Sequence, residues 1–198
     1  MIKNIVFDMG KVLMRFGWRD ICKQYGLTEE ATEIVHKEFK DLWQKALVDA
    51  IPYPEMHDEY LRRYPEHTEE LHTYLTHVHE GMRALDYTHA WTKELKEQGY
   101  HLYVLSNWTR FVHERLVADG TFDYLKDFDG QIWSYDVKQA KPDPAIYQTL
   151  LERYDLIADE CVYFDDVEEN IAAGNQAGLH GVLFESFEQA EAALADLL

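Results

Sequence analysis

Residues 3–8 read Lys-Asn-Ile-Val-Phe-Asp, a short apolar run that ends in a carboxylate. An unbroken apolar run, as opposed to an alternation of apolar and polar residues, is typical of a strand buried on both faces of a parallel sheet. Four later runs share this character. Together they predict five strands, over residues 4–8, 101–106, 131–134, 161–165 and 181–184.

Helical patterns separate the later strands and follow the last one. Pro142 and Pro144 suit the first turn of a helix, Gly178 suits a helix end, and Ser186 suits an N-cap. The predicted helices cover residues 88–98, 108–118, 142–154, 170–177 and 186–198. Buried strands that alternate with helices predict an α/β fold, a Rossmann-like parallel sheet covered by helices on both faces.

The segment between the first two predicted strands differs from the rest of the chain. It has helical patterns over residues 27–48, 54–64 and 68–83, and no convincing strand between Gly17 and Tyr87. This is too much chain for a simple crossover connection. We therefore expect a core domain formed by residues 1–16 and 87–198, with an inserted α-helical cap domain over residues 17–86.

The charge balance limits the expected partners. In a chain of 198 residues, 37 acidic and 19 basic side chains give a formal net charge of -18. Such a surface repels phosphate backbones and anionic lipid, so neither nucleic acid nor a membrane is an expected partner. A small anionic substrate is compatible with this charge, because local donors and a bound cation can reverse the field in one pocket. The composition leaves both a monomer and a homodimer open.

The cellular setting is predicted from what the sequence lacks. Cys22 and Cys161 form neither a CxxC motif nor a zinc-binding pattern. No stretch approaches the roughly 20 apolar residues that cross a bilayer. The chain enters a strand pattern at once, which leaves no room for a removable signal. These features favour a reducing, cytoplasmic setting.

Polar residues follow the predicted strands where each strand ends. Because ligands of open parallel sheets bind beyond the carboxyl ends of the strands, these side chains are expected to converge. The set comprises Asp8, Ser106, Asn107, Lys141, Asp165 and Asp166.

This combination suits phosphoryl transfer. An oxygen-only cluster of carboxylates suits Mg²⁺, and a metal held by Asp8 and Asp166 leaves one oxygen of Asp8 free to attack a phosphoryl group. Ser106 and the backbone N–H of Asn107 can donate to the phosphate oxygens. Lys141 can fix the carboxylates and stabilise the negatively charged transition state.

Four segments resemble, in order, the motifs of the haloacid dehalogenase (HAD) superfamily of phosphatases. Residues 7–12 read Phe-Asp-Met-Gly-Lys-Val, 104–107 read Val-Leu-Ser-Asn, 141–144 read Lys-Pro-Asp-Pro, and 164–170 read Phe-Asp-Asp-Val-Glu-Glu-Asn. The resemblance implies a helical cap and a Mg²⁺-dependent phosphatase that acts on a small phosphorylated metabolite. The reaction would pass through an aspartyl-phosphate on Asp8.

The fourth motif resembles one branch of this superfamily, which contains alpha-D-glucose-1-phosphatase and the phosphatase domain of soluble epoxide hydrolase. That resemblance implies a sugar phosphate such as glucose 1-phosphate as the substrate. It also implies that Asp166 binds the metal directly and that Asp165 supports the metal site without contacting the ion. Asn170 would join the same hydrogen-bond network.

Gly10 departs from the pattern of most phosphatases in the superfamily. Most carry a second aspartate at this position, which protonates the leaving oxygen and then activates water. Glycine can do neither, although its backbone carbonyl can still bind the metal as in the family. General acid catalysis commonly contributes about 10²–10⁴ in rate, so an enzyme without it is expected to be slow but active.

Two alternative functions stay open at this point. One is a metal-independent 2-haloacid dehalogenase, which the paired Asp165 and Asp166 disfavour. The other is a non-catalytic phosphate-binding or regulatory protein, supported by Gly10 alone. Aromatic residues in or near the expected cap could either stack on a sugar ring or pack between helices; these are Trp18, Trp43, Tyr53 and Tyr60.

Overall fold

The computed structural model describes residues 1–37 and 40–197. In chain order, the strands of this part are β1 (Asn4–Phe7), β2 (Met14–Phe16), β3 (Met82–Ala84), β4 (His101–Ser106), β5 (Gly130–Trp133), β6 (Cys161–Asp165) and β7 (His180–Leu183). The helices are α1 (Trp18–Gln24), α2 (Glu29–Lys37), α3 (Lys40–Leu47), α4 (Tyr53–Arg63), α5 (Thr68–His77), α6 (Thr88–Glu97), α7 (Arg110–Ala118), α8 (Ser134–Val137), α9 (Pro144–Arg153), α10 (Glu168–Gln176) and α11 (Phe187–Leu197).

The main sheet contains the five strands that the apolar runs predict. They are all parallel, in the order β5-β4-β1-β6-β7. The predicted strand bounds agree with the structure to within one residue. The central strand β1 pairs on both sides, with Asn4 opposite both His101 and Cys161. This position explains why β1 is apolar throughout, as a strand covered on both faces must be.

Side chains alternate between the two faces of the sheet, and each face packs against its own helices. On one face, Phe7 packs edge-on against Trp91 of α6 at 5.0 Å between ring centroids. On the other face, Tyr163 packs against Tyr147 of α9 at 5.8 Å. The predicted two-sided α/β core is therefore present, and each face has its own hydrophobic cluster.

Two strands were not expected from the sequence. β2 and β3 pair antiparallel, with Met14 opposite Ala84 and Phe16 opposite Met82. The prediction that residues 17–87 contain no strand is therefore wrong at 82–84. The predicted helix 68–83 ends at His77 and is followed by a 3₁₀ turn over Val78–Gly81. Strands this short are stabilised by a partner distant in sequence, and periodicity within the segment does not reveal them.

The chain between β2 and β3 is helical. The predicted helix 54–64 is α4, shifted by one residue. The predicted helix 27–48 is represented by α2 and α3, and residues 38–39 lie outside the described part. The division into a core and a cap at residues 17 and 86 stays a prediction, and the β2–β3 ladder lies at the two ends of that segment.

Local sequence signals account for several helix starts. The Asp143 side chain accepts a hydrogen bond from the backbone N–H of Ala145 at 2.9 Å, and Pro144 occupies the first helical position of α9. Ser186 Oγ accepts from the N–H of Gln189 at 3.2 Å, as its predicted N-cap role requires. Such caps satisfy backbone donors that the helix itself leaves without partners.

None of the described helices combines the length and the apolar character needed to cross a bilayer.

Candidate active site

Asp8 and Ser106 meet at the carboxyl edge of the sheet. Their strands β1 and β4 are parallel neighbours, so the residues that follow or end them emerge side by side. Ser106 Oγ donates a hydrogen bond to Asp8 Oδ1 at 2.7 Å. Asp8 is 8% exposed and Ser106 is 1% exposed, so this pair lies at the bottom of a pocket and not on the open surface.

Lys141 joins the carboxylates of two strands. Its ammonium Nζ lies 2.8 Å from Asp8 Oδ1, 2.6 Å from Asp165 Oδ2 and 2.8 Å from the carbonyl oxygen of Leu105. An ammonium has three protons, and each of them has an acceptor here. Lys141 is therefore held as a fixed positive charge between two buried negative ones.

Burial and charge oppose each other in this cluster. Burial raises the pKa of Asp8 above its usual value, although the Lys141 ammonium acts to lower it. For Lys141, burial alone would lower the pKa, but the charges of Asp8 and Asp165 outweigh it and raise the pKa. Lys141 therefore stays charged at neutral pH.

The two adjacent carboxylates Asp165 and Asp166 have different surroundings. Asp165 is fully buried and accepts hydrogen bonds from Lys141, from the Tyr163 hydroxyl, from the N–H of Val167 at 2.9 Å and from Asn170 Nδ2 at 3.0 and 3.1 Å. The side chain of Asp166 is 16% exposed and pairs with Lys11 Nζ at 2.6 Å. Asp165 is thus saturated by protein donors, whereas Asp166 has an exchangeable surface partner.

Three carboxylates lie close enough to share one cation. Asp8, Asp165 and Asp166 each present an oxygen atom within 4.8 Å of the others. An oxygen-only donor set of negative charge fits a hard divalent cation such as Mg²⁺. Gly10 lies beside this set in the pocket lining, and a Cβ built on it would be 3.7 Å from Asp8 Oδ2.

Asn107 holds the Lys141 loop in place. Its Nδ2 donates to the Lys141 carbonyl at 2.9 Å, and its Oδ1 accepts from the Lys141 N–H at 2.8 Å. The side chain is therefore occupied by this loop. The sequence predicts that Asn107 contacts the substrate through its backbone N–H. The two hydrogen bonds to Lys141 use only the Asn107 side chain, so they do not occupy this N–H.

The polar cluster forms the floor of a pocket of about 220 Å³. A mostly apolar wall faces this floor. It is contributed by β2, β3, α3, α7 and the segments after β4 and β6, through Phe16, Trp43, Met82, Trp108, Val112 and Val167. A larger cavity of about 530 Å³ lies against α6 and contains none of the polar cluster.

Of the four aromatic residues left open by the sequence, Trp43 lines this pocket. Trp18 lines a neighbouring pocket and stacks on His36. Tyr53 stacks on Phe111 at 4.4 Å between centroids, and Tyr60 is fully buried. The packing interpretation therefore holds for Tyr53 and Tyr60.

Sequence reasoning missed two residues that touch the carboxylates. Lys11, whose backbone is left-handed with φ of 60°, turns its ammonium onto Asp166. The Tyr163 hydroxyl donates to Asp165 from within strand β6. A tyrosine in an apolar run two residues before a buried aspartate is the signal that was available for Tyr163. Nothing in the sequence indicated the turn at Lys11.

Relatives of the chain are named for phosphatase activities. A phosphorylated carbohydrates phosphatase from Thermotoga maritima is 26% identical over 192 residues, which cover 91% of this chain and 84% of the relative. A D-ribitol-5-phosphate phosphatase from Bacteroides thetaiotaomicron is 28% identical over 203 residues, with coverage of 95% and 92%.

Solved structures share the fold over nearly the whole chain. An HAD family enzyme from Bacteroides thetaiotaomicron, solved in complex with magnesium and inorganic phosphate, has a TM-score of 0.74 at 21% identity and coverage of 96% of this chain and 99% of that one. The predicted Rossmann-like α/β fold is thereby confirmed. The family model described as haloacid dehalogenase-like hydrolase matches residues 2–178, and the chain belongs to this family.

Proposed function

We propose that the chain is a Mg²⁺-dependent phosphatase of small phosphorylated carbohydrates, with Asp8 as the nucleophile. The observation that carries this proposal is the meeting of Asp8, Ser106, Lys141 and Asp166 at one edge of the sheet, from four distant parts of the chain. The names of the Thermotoga maritima and Bacteroides thetaiotaomicron relatives support the same substrate class.

The floor of the pocket suits nucleophilic attack by Asp8. Oδ1 of Asp8 accepts from Ser106 and Lys141, which fixes the carboxylate and leaves Oδ2 as the oxygen to which no described side chain donates. Attack on phosphorus forms an aspartyl-phosphate, which water then hydrolyses to restore the carboxylate. The N–H of Asn107 is the donor proposed for the phosphoryl oxygens, while Ser106 and Lys141 hold Asp8 in place and the Lys141 charge offsets the negative charge that develops during the transfer.

Asp166, with Asp8 and the Gly10 carbonyl, is our proposed ligand set for Mg²⁺. When bound, the ion supplies positive charge against the phosphoryl oxygens and against the crowded carboxylates. Asp165 is proposed to orient this set without direct contact, because its oxygens are taken by Lys141, Tyr163, Val167 and Asn170. Lys11 is then the cation that gives up Asp166 when the metal binds.

Among carbohydrate phosphates, we propose glucose 1-phosphate as the first substrate to test. The pocket of about 220 Å³ limits the substrate to a small molecule, and Trp43 offers a ring surface on the wall for the apolar face of a sugar. Hydrolytic dehalogenation is the weaker proposal, because it does not require the cation that the three carboxylates can share.

The test is phosphate release from a panel of sugar phosphates, nucleotides, phosphorylated acids and aryl phosphates, and halide release from 2-chloropropionate, each with Mg²⁺ and with a chelator. We expect release from sugar phosphates that stops with the chelator. Halide release from 2-chloropropionate that persists with the chelator would favour the dehalogenase. No turnover of any compound, including aryl phosphates, would favour the non-catalytic protein.

A further inference from the structure

The pocket supplies no evident proton donor for a departing oxygen. Apart from Asp8 and Lys141, the described residues that line it have apolar, amide, indole or hydroxyl side chains, or none. Asp8 is the nucleophile in the proposed function. The three protons of Lys141 are already engaged by Asp8, Asp165 and the Leu105 carbonyl.

The remaining polar groups of the lining are poor acids. Thr109 Oγ1 is buried without a hydrogen-bond partner, and Asn170 Nδ2 is bound to Asp165. An alcohol and an amide hold their protons far too tightly to donate them at neutral pH. Proton donation from these side chains therefore cannot assist cleavage of the bond to the leaving oxygen.

Gly10 is the place where an acid would fit. Its backbone lies outside the left-handed region, so a side chain there would not be strained. A Cβ at this position would meet only Asp8 Oδ2, at the ordinary contact distance of 3.7 Å. The pocket therefore has space for an acidic side chain beside the proposed nucleophile. Because residue 10 is glycine, no acidic group occupies that space.

We infer that the site selects phosphate esters by the acidity of their leaving group. It accepts phosphates on anomeric, acyl or aryl oxygens and discriminates against phosphates of ordinary alcohols. This inference rests on the proposed function and narrows its substrate class. Without assistance, rates of phosphoryl transfer depend on how well the leaving oxygen bears negative charge.

The reaction step balances without a protein acid. The bond between Asp8 oxygen and phosphorus forms as the ester P–O bond breaks, and the leaving oxygen departs with the electron pair and takes a proton from solvent water. A second water attacks phosphorus, breaks the bond to Asp8 and gives its proton to the medium. The sum is one phosphorylated compound and one water converted into inorganic phosphate and the protonated leaving group, which is an alcohol, a phenol or a carboxylic acid.

The first test uses two esters of one sugar. Glucose 1-phosphate and glucose 6-phosphate have the same charge and composition, but the anomeric oxygen leaves more readily than the primary one. We expect kcat/KM to favour glucose 1-phosphate by about 10² or more, the range that general acid catalysis normally contributes. A series of aryl phosphates with substituted rings should show a steep fall of kcat/KM with rising leaving-group pKa.

The second test restores the acid. Gly10→Asp should raise kcat/KM for glucose 6-phosphate by about 10²–10⁴ and flatten the aryl series. Gly10→Asn is the matched control, because it has the same size without an acidic proton and should not reproduce the gain. Equal gains with both variants would contradict the inference.

Two outcomes separate this inference from the proposed function. Turnover of both glucose phosphates with similar kcat/KM, together with a flat aryl series, overturns the inference and leaves the phosphatase in place. Absence of turnover with every ester, aryl phosphates included, overturns the proposed function itself.

Lys11→Gln tests whether the Lys11 ammonium, which pairs with Asp166, acts as the proton donor. If this change alone removes turnover of glucose 6-phosphate, Lys11 is the acid and the inference fails.

Discussion

The floor and the wall of the candidate active-site pocket are built in different ways. On the floor, Asp8, Ser106, Lys141 and Asp165 are joined by hydrogen bonds of 2.6–2.8 Å. The wall that faces them is made of apolar and aromatic side chains from helices, loops and the short β2–β3 ladder. The floor is assembled at the carboxyl edge of the sheet from residues of four sequence motifs, whereas the wall consists of scattered residues that belong to no motif.

The floor can be tested most severely at Asp8, the proposed nucleophile. Asp8→Asn removes the oxygen that we propose attacks phosphorus and keeps the size of the side chain. We expect phosphate release to fall by about 10⁴ or more, as when other covalent nucleophiles are removed. A steady-state assay with Mg²⁺ measures this, and circular dichroism serves as the control for folding. Retention of a tenth of the activity would show that Asp8 is not the nucleophile.

The charge balance of the floor can be tested through stability. Lys141→Met leaves Asp8 and Asp165 as buried carboxylates without their ammonium. We expect the free energy of unfolding to drop by about 3–5 kcal/mol in urea denaturation without Mg²⁺, because an unpaired buried charge is strongly destabilising.

Lys3→Met is the matched control for the lysine experiment. Lys3 pairs with Glu160 at 2.6 Å, but its side chain is 57% exposed. A pair in solvent contributes less than about 1 kcal/mol. Equal losses in the two variants would mean that the buried cluster has no special role in stability.

The packing behind the wall includes His113, and its contribution to the stability of the fold is expected to depend on pH. His113 lies among Phe122, Trp133 and Tyr135, and Trp133 in turn packs on Trp108 of the wall. Burial lowers the pKa of His113 from 6.5 to about 4, and the nearby Arg110 charge acts in the same direction. The folded protein therefore keeps this ring neutral, with its Nδ1 3.1 Å from the Tyr135 hydroxyl.

Protonation of His113 favours the unfolded chain. Between pH 6.5 and 4 the unfolded state binds the proton and the folded state does not, so stability is full above pH 6.5 and declines as pH falls through this window. The shift corresponds to less than about 3 kcal/mol, because the ring is only half-buried and solvent screens part of the effect. Urea denaturation from pH 7 to pH 4 should show a shallower decline for His113→Phe than for the wild type. Parallel curves would show that His113 does not stay neutral in the folded protein.

The wall itself should affect binding more than chemistry. Trp43 lines the pocket and packs edge-on against Phe111 of α7 at 5.6 Å between centroids. We expect Trp43→Ala to raise KM for a sugar phosphate about tenfold, a loss of about 1.4 kcal/mol, with a smaller effect on acetyl phosphate. The KM of Trp43→Phe for the sugar phosphate should lie between those of the wild type and Trp43→Ala. Equal changes for both substrates would show that Trp43 does not contact the sugar.

The sequence predicted the main sheet and the floor well, because both depend on local patterns. Apolar runs such as residues 161–165 mark buried strands, and parallel strands bring their following residues to one edge. The β2–β3 ladder was missed because each strand is three residues long and finds its partner far along the chain. The wall was not predicted, because periodicity shows that α3 is helical but not that Trp43 faces the pocket.

The most direct test is to stop the reaction in acid within one turnover and find where the phosphoryl group resides. With Mg²⁺ and glucose 1-phosphate, the peptide that contains Asp8 should gain one phosphoryl group. This adduct should accumulate, since the described pocket lining has no base beyond Asp8 to activate water. The gain should vanish with a chelator and in Asp8→Asn. Phosphate release from an enzyme whose Asp8 stays unmodified, or a phosphoryl group on another residue, would contradict the proposed mechanism.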